Sequence, residues 1–327
     1  MNKWEVTLYI LAFLCLAGIF LPYLDSTHWL IRGQEYLKMQ YLLLASILLV
    51  ITIVATLYNC FQIKYWVLLS LLSLGIINCA QSIIPHSFFY HKEIKDAEQV
   101  ASSNISLLIF NVLQSNNQYK LLLDTVSQIN PDIILLLETD QKWDEAVSSL
   151  KETYPFVVKK IQDNTYGIML FSKYKYEEKI VRELYEDNTP AIEAMISKDG
   201  YDIRIMCIHP KPPVPKEGGS SKSKDKEMEK AAKILDKRKD SELKILAGDL
   251  NDVAWSKSAY ELKEVTSLKD PRIGRGTYNT FPTYFPFRIP IDLIFCSSDF
   301  ELIEMRVLDN IGSDHYPFFI NLKLPSN

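Results

Sequence analysis

No two of the five cysteines in this 327-residue chain stand at Cys-x-x-Cys spacing, which removes the usual thiol frameworks for zinc binding and redox exchange. Cys207 and Cys296 lie in apolar strand-like runs and read as buried free thiols, while Cys15, Cys60 and Cys79 lie in or beside longer apolar stretches. An excess of positive charge is also missing. The net charge is −4, and beyond residue 64 acids outnumber bases by five, which argues against a surface built to coat nucleic acid. No internal repeat is visible, so solenoids and propellers are excluded. The first apolar run is preceded by Lys3 alone and followed by no small-residue cleavage motif, against a removable secretory leader.

Charge is altogether absent from Val6 to Leu24, from Met39 to Ile63 and from Tyr65 to His91. Crossing a bilayer takes roughly 20 apolar residues. The runs therefore predict three transmembrane helices, about Trp4 to Leu21, Tyr41 to Tyr58 and Tyr65 to Ile84. They define a membrane anchor over 1–90, a polar connector over 91–104 and a second domain over 105–327. His86 and His91, where the anchor gives way to the connector, read as solvated surface rather than metal ligands. Three spans put the termini on opposite sides. With the N-terminus inside, Lys3 and Lys64 face the cytoplasm and Arg32, Lys38, Lys92 and Lys95 the far side, a balance too even for loop charge to decide orientation.

From Ile105 the pattern changes to short apolar runs alternating with helical spacing. Strands are predicted at 106–112, 132–137, 165–171, 291–296, 300–307 and 318–322, with a further strand ending on Gly248-Asp249. A hairpin of 191–197 and 201–208 turns at Lys198-Asp199-Gly200. Helices are predicted at 119–129, 142–153 and 258–264. Between Pro210 and Lys239 a Pro-, Gly- and Ser-rich loop passes into a charged helix, with ten Lys or Arg against five acids, and reads as solvated. The fold class is α/β (α+β), layered sheets behind a three-helix anchor.

Polar residues end several of these runs: Asn111, Glu138, His209, Asp249 with Asn251, Asp292, and Asp314 with His315. Each alone is an ordinary strand-ending residue. Together they supply what metal-assisted attack on a phosphate needs: carboxylates for a hard cation, amide and imidazole groups for the developing charge, and a proton relay.

In this order the residues resemble the endonuclease/exonuclease/phosphatase superfamily, through LLLETD around Glu138, AGDLND around Asp249, PIDLIF around Asp292 and GSDHYP around Asp314 and His315. The resemblance implies a four-layer sandwich of two packed mixed β-sheets flanked by helices. It implies Mg²⁺ or Mn²⁺ at Glu138, Asn111 and Asp314, with Glu138 the principal ligand. Asp249 would align the attacking water, Asn251 and His209 would meet the phosphate, and His315, oriented by Asp292, would act as acid/base or charge stabiliser. Leu113 stands where many nucleases of the superfamily carry an acid, which puts a second metal in doubt. His209-Pro-Lys-Pro-Pro, Thr280-Phe-Pro and the N-terminal spans look like a membrane-anchored bacterial branch, an integral protein of the cytoplasmic (inner) membrane with its catalytic domain outside.

The expected activity is hydrolysis of a phosphodiester or phosphomonoester, nuclease-like by resemblance. The alternatives are a lipid-headgroup or inositol phosphate phosphohydrolase, or a catalytically silent receptor for a phosphorylated ligand. The expected partners are a phosphate-ester substrate, from nucleic acid or a phospholipid headgroup, and the lipid bilayer. No protein partner is implied.

Overall fold

The computed structural model describes residues 3–58, 62–98, 103–238 and 242–325. The chain divides into two units, one of Met1–Tyr90 with Pro213–Lys222, the other of His91–Pro212 with Ser223–Asn327.

The first unit is built on three apolar helices, α1 (Lys3–Phe20), α3 (Lys38–Tyr58) and α4 (Ile63–Ile83), with a single turn, α2 (Trp29–Arg32), between the first two. All three coincide with the charge-free runs and are long and apolar enough to cross a membrane. Leu8, Ala12 and Cys15 pack with Ala45, Leu48, Leu68 and Leu72. Phe13, Leu14, Val50, Leu57 and Ile77 point outward, so the helices are apolar all round, as hydrocarbon surroundings require.

One expectation fails in this unit: His86 is buried in the turn that closes α4 rather than solvated. The loop over Pro213–Lys222 is exposed at 214–218, as read, but its end is tied down: Trp29 N–H donates to Gly219 O at 2.9 Å and Ser221 N–H to Thr27 O at 2.7 Å. Composition describes a segment's own preferences and is blind to a partner nearly two hundred residues away.

The second unit holds, in chain order, β1 (Lys95–Asp96), β2 (Asn104–Asn111), α5 (Tyr119–Ile129), β3 (Ile133–Leu137), α6 (Gln141–Ala146), β4 (Phe156–Lys160), β5 (Ile168–Ser172), β6 (Tyr176–Glu183), β7 (Pro190–Lys198) and β8 (Tyr201–Cys207). Then follow α7 (Lys222–Asp236), β9 (Leu243–Asp249), α8 (Lys257–Thr266), β10 (Asp292–Cys296), β11 (Glu301–Val307) and β12 (Phe318–Lys323). Seven strands form one sheet in the order β1-β11-β12-β2-β3-β5-β4, and five form another, β10-β9-β8-β7-β6. Both sheets are mixed, with β1/β11, β2/β3 and β8/β9 parallel and the other pairs antiparallel.

The period of two along each strand decides the layers. Leu107, Ile109, Leu135 and Leu137 meet Ile203, Ile205, Ile245 and Ala247 between the sheets. Their alternates Leu108, Phe110, Ile134 and Leu136 pack on Leu122 and Val126 of α5 and Trp143 of α6. Leu246, Leu293 and Phe295 pack on Met228, Ala231 and Leu235 of α7 and Leu262 of α8. The result is the expected four-layer sandwich. Central strands buried on both faces explain why they read as unbroken apolar runs.

The strand directions gather the polar run ends at one end of the sandwich. Asn111 and Asp249 close β2 and β9, Glu138 and His209 follow β3 and β8, Asp292 opens the antiparallel β10, and His315 precedes the antiparallel β12.

Candidate active site

Asp249 and Asp292 are register partners on β9 and β10. Like charges directly opposite one another on neighbouring strands repel, and the ring of His315 separates them. Its Nδ1 lies 2.8 Å from Asp292 Oδ2 and its Nε2 3.5 Å from Asp249 Oδ2. Carboxylate oxygens only accept, so the 2.8 Å contact is a hydrogen bond when Nδ1 carries the proton, while Nε2 faces Asp249 at the longer distance. Burial by itself would lower the His315 pKa; the charges of Asp292 and Asp249, the Asp292 hydrogen bond and then Asp314 raise it to about 10.

Asn111 joins the two sheets across the site. Its Nδ2 donates to Glu138 Oε1 at 2.8 Å and to Asp249 Oδ2 at 3.0 Å, while its Oδ1 accepts the Leu113 N–H at 3.1 Å. His209 Nε2 stands 3.6 Å from the same Asp249 oxygen, its ring against Tyr166. Asp249 Oδ1 accepts the Asn251 N–H at 2.9 Å, and the Asn251 side chain donates to Pro210 O at 3.0 Å, tying together the loops after β8 and β9. Glu138 Oε2 accepts the Gln114 N–H at 3.3 Å. Burial pushes the Glu138 carboxyl above its ordinary range, against the pull of His209 and of the Asn111 hydrogen bond, with Asp249 adding to the rise.

The backbone is bent to make this possible. Glu138 (φ +61°) and Asn251 (φ +46°) are left-handed, which costs a residue with a Cβ roughly 1–2 kcal/mol, and such strain gathers at functional sites. Just before Asp249, Gly248 has φ +151° and lies so close to the end of β8 that a Cβ would sit 2.0 Å from Ile208 O. Only glycine fits there.

Residues 101–315 match the Endonuclease/Exonuclease/phosphatase family. The chain belongs to this family. No functionally curated protein matches it. Among solved structures it is similar to D. rerio TDP2 complexed with a single-strand DNA product, at 16% identity and TM-score 0.58 over 68% of this chain and 100% of that one. The human Nocturnin catalytic domain with a bound sulfate anion is 17% identical with TM-score 0.57, covering 67% of this chain and 94% of that one. A family protein from Leptotrichia buccalis is 19% identical with TM-score 0.53, covering 67% and 100%. At these identities the likeness is one of fold.

Enzymes of the endonuclease/exonuclease/phosphatase family are generally hydrolases of phosphate esters that use divalent metals. The residues present fit such an ion. Glu138 and Asp249 bring two carboxylates to a single neutral amide nitrogen, an anionic, partly desolvated oxygen set of the kind hard cations prefer. Asp249, Asp292 and His315 also offer ligand atoms within 4.8 Å of one another. There, however, the 2.8 Å contact with Asp292 engages His315 Nδ1, and a hard cation prefers oxygen ligands to imidazole.

Of the family residues read from the sequence, Asn111, Glu138, His209, Asp249, Asp292 and His315 share one contact network. Asn251 enters it through its backbone. Asp314 stands at its edge, Oδ1 lying 3.4 Å from Ser313 Oγ. Ser313 itself escapes the sequence reading: its hydroxyl contacts Asn111 O at 2.8 Å and the His315 N–H at 3.0 Å, linking the ends of β2 and the last loop. Its place beside Asp314 in the GSDHYP motif is the one signal that points to it. Phe281, with its ring 4.8 Å from that of His315, lies in the Thr280-Phe281-Pro282 segment of the resemblance, whereas the Gln114 amide carries no such signal.

Proposed function

We propose that this chain is a membrane-anchored, Mg²⁺- or Mn²⁺-dependent phosphoesterase that cleaves a phosphodiester by in-line attack of water. One observation carries the reading: a single oxygen, Asp249 Oδ2, is faced by Asn111 Nδ2 at 3.0 Å, His315 Nε2 at 3.5 Å and His209 Nε2 at 3.6 Å. A buried carboxylate so surrounded is held in one orientation, as a group that must align a water and take its proton has to be. His315, between Asp249 and Asp292, is favoured in its charged form by their carboxylates. It is therefore assigned to steady the phosphoryl oxygens as charge builds on them, with Asp292 holding its ring.

Asn251 and His209 complete the phosphate contacts. Glu138, with Asn111 bonded to it and Asp314 at the edge of the site, would hold the cation, which supplies Lewis-acid polarisation of the phosphate when bound. The three apolar helices support attachment to a membrane. The DNA product in the TDP2 structure, although that protein shares only the fold, supports a diester over a monoester.

The test is hydrolysis of bis(p-nitrophenyl) phosphate by the full chain in detergent, with Mg²⁺ or Mn²⁺ and with chelator. Metal-dependent turnover that disappears in Asp249→Ala and in His315→Ala, both folded by circular dichroism, is the expected result. Near-normal turnover in either variant overturns the assignment of the centre.

A further inference from the structure

The loop between the neck residues Phe281 and Ile289 plays no part in the chemistry above, yet it is built onto the site. Phe281 and Ile289 pair as an antiparallel bridge, Phe281 N–H donating to Ile289 O at 3.2 Å and Ile289 N–H to Phe281 O at 2.6 Å. Thr283 holds the loop to the residues beside His315: its N–H donates to Asp314 O at 2.9 Å and its Oγ1 to Ser313 O at 2.8 Å. Tyr316 N–H donates to Thr280 O at 2.9 Å.

Beyond this neck the tip reads Tyr284-Phe285-Pro286-Phe287, with Tyr284 78%, Phe285 49% and Phe287 53% exposed. Among the described residues of the second unit, Phe285 and Phe287 are the exposed phenylalanines, and Tyr284 is the most exposed large apolar side chain. Their exposure is not a by-product of a frayed loop, since the neck is hydrogen-bonded on both sides. Charge at the tip is one-sided as well: Arg288 adjoins it and no acid occurs between Asp270 and Asp292, while Arg272 and Arg275 are buried in ion pairs with Asp270 and Asp96.

Aromatic side chains with an adjacent cation are the composition that settles at the headgroup level of a bilayer. The same chain carries three helices of bilayer-crossing length. We propose that the 281–289 loop seats Tyr284, Phe285 and Phe287 in the interfacial layer of an anionic membrane and thereby holds the mouth of the active site against lipid headgroups. The phosphoester it meets is then one presented at that surface. This deepens the phosphoesterase reading and rests on it for the substrate, though not for the docking.

The docking is read from the full chain reconstituted in vesicles of phosphatidylcholine and phosphatidylglycerol. Tyr284→Cys on a Cys60→Ser background takes an environment-sensitive fluorophore, and Lys257→Cys, at an exposed site on α8, serves as reference. The expected result is a blue-shifted emission at position 284 that headgroup-level nitroxide lipids quench, with little quenching at 257 and less at 284 without phosphatidylglycerol. Equal response at the two positions, or a blue shift at 284 produced by a single-stranded oligonucleotide instead, overturns the proposal, the latter assigning the tip to base stacking.

A second arm separates the two readings. The double variant Phe285→Ser with Phe287→Ser is expected to hydrolyse soluble bis(p-nitrophenyl) phosphate like the parent chain while losing hydrolysis of vesicle phospholipid. Equal loss on both substrates places the tip in the chemistry and sinks the docking role. Failure of the parent chain on the soluble diester sinks the phosphoesterase reading alone, because the fluorescence arm does not depend on turnover.

Discussion

Asp249 and Asp292 face each other across β9 and β10 with the ring of His315 between them. Neither acid is free to change without altering the other's environment. Asp292→Asn replaces an acceptor-only carboxylate by a neutral amide that can also donate and so no longer fixes the ring's tautomer or favours its charge, and kcat is expected to fall about 10²- to 10⁴-fold with the fold kept. Steady-state kinetics beside a circular dichroism spectrum check this. A loss under about threefold would show that the pair is structural.

The same end of the sandwich rests on a second buried pair. Lys224 of α7, almost fully buried, bonds the Asp252 carboxylate, which also accepts from Ser258 Oγ at 2.7 Å. Lys224→Met leaves that carboxylate desolvated without its cation, and removing one partner of a buried pair costs about 3–5 kcal/mol. Denaturant unfolding of the full chain in detergent is expected to register a loss of that order.

Glu227 gives the protein a pH dependence away from the site. Burial pushes its carboxyl up to about 7, against the lowering hydrogen bond from Thr189, with Glu186 raising and Lys211 lowering it further. The folded state therefore binds this proton more tightly than the unfolded chain does. The contribution to stability is complete below the unfolded carboxyl pKa of about 4.3 and is lost as pH rises through 7, on the order of 3 kcal/mol. Glu227→Gln should flatten the decline of Tm between pH 5 and 8; an unchanged slope would rule this group out.

Gly248→Ala tests the close approach of β8 and β9. The added Cβ meets Ile208 O at 2.0 Å at a φ of +151°, a backbone clash with no flexible side chain to yield. A loss above about 4 kcal/mol is expected, seen as failure to recover folded protein, whereas a well-folded variant would mean the strands can part.

Cation binding is tested without catalysis. Mg²⁺ or Mn²⁺ in excess is expected to raise the Tm of the parent chain, because a ligand specific to the native state stabilises it by about 2.7 kcal/mol at a hundred times its Kd. Glu138→Ala should abolish the rise. A rise that survives in Glu138→Ala and vanishes in Asp292→Asn would move the ion to the Asp249-Asp292-His315 cluster.

Much of this is legible before folding because buried strands are unbroken apolar runs, and their last residue is the one that reaches the rim. Asn111, Glu138, His209 and Asp249 are visible for that reason. The edge strands β4 and β6 escape, since FVVKK and YEEKIVRE carry charge through the half-exposed pattern expected of an edge. The helix predicted over 142–153 is α6 followed by a 3₁₀ segment at Ser148–Glu152, the kind of boundary that spacing blurs. Ser313 and Phe281 stand inside motifs of the resemblance without being read as site residues, and Gln114 acts through a backbone contact 24 residues away that no local pattern encodes. Lys224 shows the opposite failure: a lysine in a basic stretch reads as solvated, while its carboxylate waits 28 residues further on.

The strand order β1-β11-β12-β2-β3-β5-β4 has a consequence for biosynthesis. β2, which carries Asn111, is sandwiched between β3 and β12, and the loop with His315 lies just before β12. A growing chain therefore emits its apolar helices first and the imidazole last among the residues of the centre. Until β12 and the loop before it are made, β2 lacks one of its two neighbours and no ring separates Asp249 from Asp292. Completion of the centre therefore waits on the last strand, since β12 follows the loop that carries His315.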